Sequence, residues 1–454
     1  MRLAIDNRPG KFAEVARVIG EEGGSLGVID LVEATPTVHV REVTVDMPDE
    51  AGAQRLAAAL QRIDGIEVRD LSDAAFKLHA GGKIEVRGRI AVRTKDDLSL
   101  VYTPAVARVS SAIAQDPAKA WTLTMRANAV AIVSNGSAVL GLGNIGPLGA
   151  LPVMEGKALL FRDLAGISAF PLVIDAPTAD EVIATVVALA PTFGGINLED
   201  IAAPACFEIE RELRRRLDIP VFHDDQHGTS IVVLAALRNA AAVVGLGFAD
   251  MRAVILGAGA AGIATARLLA RAGVGEIVVC DRHGIVGPKR TDLTPEKKAL
   301  RGELRTARDG SLADALAGAH VFIGVSGPDL LSLEAVRSMA RPRIVMALAN
   351  PVPEIDPYVA GPEVDVMATG RSDHPNQVNN VLAFPGVFRG LLDSGARAVT
   401  DDVELAAAEA LAAVVTPELR SAEYILPSPF DPQVVPAVAK AVAECVRASG
   451  VARI

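Results

Sequence analysis

The chain has 454 residues, half of them hydrophobic and 22% charged, which is a globular composition and too long for one ordinary hydrophobic core. Its formal net charge of −10 argues against a nucleic-acid partner, which would need clustered lysine and arginine. The three cysteines, Cys206, Cys280 and Cys445, match no metal or disulfide spacing, and the first residues lack the apolar core of a signal peptide. Gly, Pro or Arg interrupt the apolar tracts at 137–161 and 231–272, so we expect no membrane span and a cytoplasmic protein.

Residues 1–78 predict a small separate unit. A strand at 3–5, the turn Asn7-Arg-Pro-Gly10, a helix from Lys11 to Gly23, strands at 26–33 and 37–46, a helix at 50–62 and a strand at 65–70 follow one another. This βαββαβ order is typical of the ferredoxin-like fold. With Arg8-Pro-Gly10 in the first turn, the segment resembles an ACT domain, a family of small ligand-sensing modules.

The rest of the chain predicts two further α/β domains and a helical tail. Residues 79–235 alternate helical and extended patterns, with strands predicted at 129–133, 158–162, 193–197 and 220–223. Residues 236–395 form a second α/β run that opens with a nucleotide-binding motif. Residues 396–454 predict Ala-rich helices at 400–420 and 433–449, which we expect to pack back on the catalytic domain.

The nucleotide-binding motif lies between two predicted strands in 253–281. Gly257 permits a tight turn, Gly259 lets the backbone approach a diphosphate, and Gly262 lets helix and strand pack closely. Asp281 ends the second strand, where a carboxylate can accept both ribose hydroxyls. The motif therefore predicts a Rossmann-type domain, and the acid favours NAD over NADP, although Arg282 beside it could soften that preference.

Two pairs of acids follow apolar runs. Glu199-Asp200 and Asp224-Asp225 would converge at one edge of a sheet if the two runs are neighbouring parallel strands. Carboxylates about 4 Å apart repel by roughly 4 kcal/mol at an effective dielectric of 20, and a bound Mg²⁺ or Mn²⁺ removes that cost. The alternative is that the acids cap helix N-termini, with Thr229 capping the helix that follows.

Several co-linear motifs resemble the malic enzyme family in its compact bacterial form, over about 90–440. They are Leu98-Ser-Leu-Val-Tyr102-Thr-Pro104, Gly136-Ser-Ala-Val-Leu-Gly-Leu-Gly143-Asn-Ile-Gly-Pro147, Leu151-Pro-Val-Met-Glu-Gly-Lys157, Asn197-Leu-Glu-Asp200, Phe222-His-Asp-Asp-Gln-His-Gly-Thr229, Ala349-Asn-Pro351 and Asn376-Gln-Val-Asn-Asn380-Val-Leu-Ala-Phe-Pro-Gly386.

The resemblance implies an activity and roles for individual residues. Members oxidise (S)-malate to pyruvate and carbon dioxide with NAD or NADP and a divalent metal, and also decarboxylate oxaloacetate. By resemblance, the metal would be held by Glu199, Asp200 and Asp225. Lys157 would be the general base, with its pKa lowered by the nearby cation, and Tyr102 the acid that protonates enolpyruvate.

Further residues are implied around this centre. Asp224 would orient Lys157 or a ligand, Asn350 would lie near nicotinamide and substrate, and Asn379 and Asn380 near the substrate. The chain departs from the family at Ala138, where larger members carry a substrate-binding Arg, which leaves Arg162 as a candidate for the malate 4-carboxylate. Taken singly, Tyr102 could be an ordinary core tyrosine and Asn379-Asn380 a helix cap.

Three other functions stay open. A malolactic-type enzyme would convert malate to lactate without net NADH release. An ACT-linked amino-acid dehydrogenase would use Lys157 without a metal. An NAD-binding ligand sensor would not be an enzyme at all. For the favoured function we expect a homodimer or larger homo-oligomer, with a small-molecule effector at the N-terminal unit.

Overall fold

The computed structural model describes residues 1–453 as two compact units, the first spanning Met1–Glu85 and the second beginning at Val86. In the second unit, among the described residues, the only segment long and apolar enough to cross a membrane is Asp224–Val244. Two-thirds of it (67%) is buried inside the fold, which is the pattern of a core helix.

The first unit is a four-stranded antiparallel sheet with helices packed on it. Its elements are β1 (Arg2–Asp6), α1 (Lys11–Glu21), β2 (Ser25–Ala34), β3 (Val38–Asp46), α2 (Glu50–Gln61), β4 (Ile66–Asp70) and α3 (Ala74–His79). The sheet order is β2-β3-β1-β4, and the predicted βαββαβ order is the one found. Leu3, Val15 and Leu56 are fully buried between helices and sheet, which explains the helical spacing of the apolar residues.

The second unit opens with helices α4 (Lys95–Val101), α5 (Val106–Gln115) and α6 (Ala120–Leu123). A parallel sheet in the order β6-β5-β7-β8 follows. Its elements are β5 (Ala129–Ser134), α7 (Gly146–Ala165), β6 (Ser168–Val173), α8 (Ala179–Leu189), β7 (Gly195–Leu198), α9 (Ala205–Arg216), β8 (Val221–His223) and α10 (Thr229–Val244).

The strand predicted at 158–162 is wrong, because these residues belong to α7 and the strand lies at 168–173 instead. The buried positions Ala150, Met154, Lys157 and Phe161 are spaced by three and four residues, which is the period of a helix face. Read alone, the five residues 158–162 are a short apolar run, whose periodicity does not separate a buried helix from a strand.

A second sheet has the order β11-β10-β9-β12-β13-β14 and is parallel except for β11. Its elements are β9 (Arg252–Leu256), α11 (Ala260–Arg271), β10 (Glu276–Asp281), β11 (Gly284–Ile285), α12 (Pro295–Glu303), α13 (Leu312–Leu316), β12 (Val321–Gly324), α14 (Leu333–Ser338), β13 (Ile344–Ala347), α15 (Pro357–Ala360) and β14 (Val366–Thr369). This is the predicted Rossmann-type arrangement.

Three helices complete the chain: α16 (Phe384–Asp393), α17 (Asp401–Val414) and α18 (Val434–Ala448). The buried Asn239 of α10 donates from its amide to the carbonyls of Ala412 and Ile425, both at 2.9 Å. The C-terminal segment therefore packs on the helix that follows the first parallel sheet, and Glu404 of α17 lies 2.8 Å from Nδ1 of His227 in the loop after β8.

Candidate metal and dinucleotide site

The two acid pairs meet at the carboxyl edge of the first parallel sheet. Glu199 and Asp200 follow β7, while Asp224 and Asp225 follow the neighbouring strand β8. One carboxylate oxygen from each of Glu199, Asp200 and Asp225 lies within 4.8 Å of the others. The helix-cap alternative is wrong for the second pair. No side chain caps the N-terminus of α10, and the Asp224 carboxylate accepts from Lys157 and Asn380 instead.

Asp200 is held in an unusual backbone conformation. Its φ is +54°, in the left-handed region that side-chain-bearing residues rarely adopt, and it is buried. Its Oδ2 atom has no hydrogen-bond partner among the described residues. Burial, together with the nearby Asp225 carboxylate, raises the pKa of Asp200 to about 7. A buried carboxylate oxygen without a donor is the feature expected of a cation ligand.

Asp225 is fixed from two sides. Its Oδ2 accepts the Asp200 backbone N–H at 2.9 Å and lies 3.1 Å from Nε2 of the buried His223. Burial works against its charge, but His223, Lys157 and the Asp200 backbone N–H together outweigh burial, so the pKa of Asp225 falls below its usual value. His223 has no role predicted from the sequence, although it lies inside the motif that contains Asp224 and Asp225.

Lys157 projects from α7 into the same cluster. Its Nζ lies 2.8 Å from Oε1 of Glu199, donates to Asp224, and stands 4.3 Å from the centre of the Phe384 ring. Burial lowers the pKa of the ammonium, but Asp224 and Glu199 outweigh burial and carry it above its usual range. The residues around Lys157 therefore raise the pKa of its ammonium group, whereas a bound cation is expected to lower it.

Of the three predicted asparagines, only Asn380 contacts this cluster. Its side-chain amide donates to Asp224, which is thereby shared between Asn380 and Lys157. The Asn379 side chain accepts the Val381 backbone N–H at 3.1 Å and caps a short helical turn, as its alternative interpretation predicted. Asn350 is exposed, and Gly141 packs against its backbone carbonyl.

The donor set fits a hard divalent cation. Glu199, Asp200 and Asp224 are buried and Asp225 is half-buried, so four carboxylates lie together, with Lys157 and His223 as the basic side chains that contact them. Burial, which disfavours the charged form, raises the pKa of Glu199 well above normal, and repulsion from Asp224, Asp225 and Asp200 adds to the effect. Oxygen ligands of this kind are those that Mg²⁺ and Mn²⁺ prefer.

The glycine motif forms a cradle at the second parallel sheet. Gly257 has φ +121°, and a Cβ there would lie 2.5 Å from the Val325 carbonyl. A Cβ on Gly262 would lie 1.8 Å from the Gly257 carbonyl, so strand and helix need both glycines. Around Gly259, immediately before α11, a Cβ would meet nothing within 4 Å. This open helix N-terminus fits a dinucleotide diphosphate.

Asp281 lies where it was predicted, but its carboxylate is engaged. It accepts from Arg290 at 3.0 and 3.1 Å and from Lys297 at 2.7 Å. Burial opposes its charge, yet these two cations hold the pKa of Asp281 well below its usual range. Arg282, the cation suspected from the sequence, donates to His283 instead.

Two predicted residues stand apart from the cluster. Tyr102 is 65% exposed at the end of α4, and neither α4 nor α5 buries a residue. Arg162 is exposed, and within residues 1–453 its guanidinium donates to the Gly166 carbonyl alone, at 3.5 Å. The structure thus joins Lys157 and the acids but brings neither Tyr102 nor Arg162 to them.

Two family models match the chain one after the other and together cover most of the second unit. Residues 82–214 match the family described as malic enzyme, N-terminal domain, and residues 226–448 match that described as malic enzyme, NAD binding domain. Residues before 82 lie outside both matches.

Individual relatives extend the comparison. The NAD-dependent malic enzyme of Geobacillus stearothermophilus is 50% identical over 455 residues, covering 100% of this chain and 95% of the relative. The bifunctional malic/malolactic enzyme of Bacillus subtilis is 50% identical over 391 residues, covering 85% of this chain and 95% of that one. The solved NAD-dependent malic enzyme of Thermotoga maritima superposes with a TM-score of 0.79 at 45% identity, covering 82% of this chain and 99% of that chain.

Proposed function

The chain belongs to the malic enzyme family, and we propose the residues with which it oxidatively decarboxylates malate to pyruvate and carbon dioxide while reducing NAD(P). The observation that carries the assignment of residues is the buried cluster in which Lys157 contacts Glu199 and Asp224 beside the metal-ligand set. Initial rates with malate, with NAD or NADP, and with or without Mn²⁺ test it. Malate-dependent NAD(P)H formation that EDTA abolishes is the expected result.

The proposed ligands of the divalent cation are Glu199, Asp200 and Asp225. A cation held there supplies positive charge that stabilises the enolate as carbon dioxide leaves. The left-handed backbone of Asp200 and its contact with Asp225 fix the two ligands relative to each other, so little rearrangement is needed on binding.

Lys157 is proposed as the base that takes the proton from the malate 2-hydroxyl as the C2 hydride moves to nicotinamide. The resulting oxaloacetate then loses its β-carboxylate as carbon dioxide. Asp224 and Asn380 hold the lysine, since Asp224 accepts from both. The Phe384 ring packs over the amine, and the lysine side chain is buried. We expect the same enzyme to decarboxylate added oxaloacetate, because that step requires no hydride transfer.

Tyr102 is proposed as the acid that protonates C3 of enolpyruvate, and the chain as a homodimer or larger homo-oligomer. The apolar side chains Leu98, Leu100 and Val109 of α4 and α5 are exposed around Tyr102, as expected of a surface that another copy covers. Mixing Tyr102→Phe with Lys157→Ala chains tests both statements. If Tyr102 serves a neighbouring copy, activity returns on mixing; if it serves its own chain, the mixture stays as inactive as its components.

The choice between NAD and NADP depends on Asp281 and its two cations. Free of partners, the carboxylate would accept ribose hydroxyls and repel a 2′-phosphate. Because Arg290 and Lys297 neutralise it, the repulsion is smaller than the sequence suggested. We propose that NAD is preferred and that NADP is also used, which the ratio of kcat/KM for the two cofactors measures.

A malolactic activity is the second candidate, favoured by the similarity to the bifunctional Bacillus subtilis relative. It would appear as malate consumption that yields lactate without net NADH. Parallel assays of NADH absorbance and of pyruvate and lactate separate the two. The metal-independent amino-acid dehydrogenase is disfavoured by the buried acid cluster, which that chemistry would not use.

The N-terminal unit is proposed as an ACT-like regulatory module. Its loop Asn7–Gly10 was the expected ligand site, but Arg8 there donates to Asp6 at 3.1 Å, so a ligand carboxylate would compete with Asp6. We expect an enzyme that begins near residue 79 to keep catalysis and lose any response to an effector. The comparison is full-length against truncated enzyme across amino acids and central metabolites. An equal response of both forms would contradict sensing by this unit.

A further inference from the structure

Glu354, in the loop after β13, is a buried acid outside the sites described above. It is 0% exposed, yet it has no ion-pair partner within residues 1–453. Burial raises the pKa of its carboxyl, and the hydrogen bonds it accepts from backbone N–H groups work in the opposite direction. A buried acid without a cation is costly, so a structural or functional benefit must offset that cost.

The carboxylate of Glu354 joins two loops at the carboxyl edge of the nucleotide-binding sheet. Oε1 accepts the backbone N–H of Ser326 at 3.0 Å, in the loop after β12. Oε2 accepts the backbone N–H of Ala349 at 3.1 Å, in the loop after the adjacent strand β13. Ala349 immediately precedes Asn350, which its resemblance to malic enzymes implies near the nicotinamide.

The space around this carboxylate is closed. A Cβ on Gly324, at the end of β12, would lie 2.3 Å from Cδ of Glu354. In the loop that follows, the Val325 carbonyl would lie 2.5 Å from a Cβ on Gly257. The loop after β12 is therefore held between the glycine turn of the dinucleotide cradle and Glu354, and glycines are required at both contacts.

We propose that Glu354 is a positioning residue for hydride transfer. By joining the loops at Ser326 and Ala349, its carboxylate sets the place of Asn350 relative to the glycine turn, and hence the place of the nicotinamide relative to C2 of malate. The inference rests on the proposed function. Hydride transfer depends steeply on this distance, since a misplacement of about 1 Å costs on the order of 10²-fold.

The test separates the two half-reactions. In Glu354→Gln the side chain keeps its volume, but its amide N–H faces one of the two backbone N–H groups. One of the two hydrogen bonds that join the loops is therefore lost. We expect malate oxidation to fall by roughly 10–100-fold, which corresponds to a displacement of up to about 1 Å. The isotope effect with 2-deuterated malate should rise, and oxaloacetate decarboxylation should stay within about twofold, because it requires no hydride transfer.

Gly324→Ala, which pushes on the same carboxylate from the strand, should give the same split and serves if Glu354→Gln does not fold. Glu363→Gln, at a half-buried acid that pairs with Arg337 in the same sheet region, is the control. A parallel fall of both half-reactions, or no change in either, overturns the proposal. Wild-type enzyme without malate-dependent NAD(P)H formation would instead contradict the proposed function.

Discussion

The acids at the carboxyl edges of the two sheets of the second unit differ in whether they have partners. At the first sheet, four acids (Glu199, Asp200, Asp224 and Asp225) lie beside Lys157 and His223, and an oxygen of Asp200 lacks any donor among the described residues. At the second sheet, Asp281 is bound by two cations and Glu354 by two backbone N–H groups. The first edge therefore has an excess of negative charge, whereas each acid at the second edge is bound by cations or by backbone N–H groups.

The difference indicates what each edge lacks. Unbalanced buried carboxylates are unfavourable by several kcal/mol unless a cation joins them, so the first edge is built to bind positive charge. Acids that already have partners need no further ligand, so we propose that the second edge orients loops and selects the cofactor without a metal. The same position in the same kind of sheet thus serves binding in one case and orientation in the other.

The largest expected effect concerns the lysine inside the unbalanced cluster. Lys157→Ala should lower malate oxidation by about 10²–10⁴-fold, the usual cost of a positioned base, while NADH binding, followed by fluorescence, is unchanged. Lys157→Arg should be equally inactive, because arginine keeps the charge but cannot be deprotonated at neutral pH. Substantial turnover by the arginine variant would show that charge, and not proton transfer, is what this position supplies.

A second prediction tests whether the excess charge serves a metal. Asp225→Ala should weaken Mn²⁺ binding, measured by calorimetry, by at least about 10²-fold, since a ligand costs more than the 10–100-fold of an outer partner. Asp175→Ala is the matched control, because Asp175 is an exposed acid that follows β6 of the same sheet. Equal Mn²⁺ affinity in both variants would place the metal elsewhere.

A third prediction addresses the balanced edge. Asp281→Ala frees Arg290 and Lys297 for a 2′-phosphate, so the kcat/KM ratio should shift toward NADP by about tenfold, equivalent to roughly 1.4 kcal/mol. Lys297→Ala should shift it the other way, and Lys298→Ala, an exposed neighbour on α12, should leave it unchanged. A wild type that already prefers NADP would mean that the cations outweigh Asp281.

Patterns within short segments could be predicted from the sequence. The order of elements in the first unit, the glycine cradle and the meeting of both acid pairs follow from apolar periodicity and from where parallel strands end. The strand at 158–162 could not be predicted correctly, because a short apolar run satisfies both periods, and only burial against the sheet shows that α7 continues.

Contacts between distant loops were beyond sequence reasoning. Arg290 and Lys297 lie nine and sixteen residues after Asp281, in a loop and on a helix, and no pattern shows that both turn back to it. Glu354 and Gly324 form one contact across thirty residues, and neither residue is unusual alone. The exposure of Tyr102 is likewise a property of the packing of α4, which its motif does not encode.

The smallest expected effect concerns stability. Ligand oxygens of Asp200, Glu199 and Asp225 within 4.8 Å repel one another when no cation is bound. Asp200→Asn removes one charge, and Asn suits the left-handed backbone at this position. In EDTA at pH 8, the variant should therefore be about 1 kcal/mol more stable than wild type, or roughly 2 °C higher in Tm.

The advantage should depend on pH and on metal. The pKa of Asp200 is raised to about 7 in the folded chain, so its ionisation destabilises the metal-free protein as pH rises through that value. At pH 5 the carboxyl is mostly protonated in the folded chain, so the variant and wild type should differ less in unfolding temperature than at pH 8. Added Mn²⁺ should make the wild type more stable than Asp200→Asn at pH 8, because the ion stabilises only a folded protein that binds it. A metal-free variant less stable than wild type at pH 8 would show that the cluster is not under repulsion, and the contrast between the two sheet edges would fail.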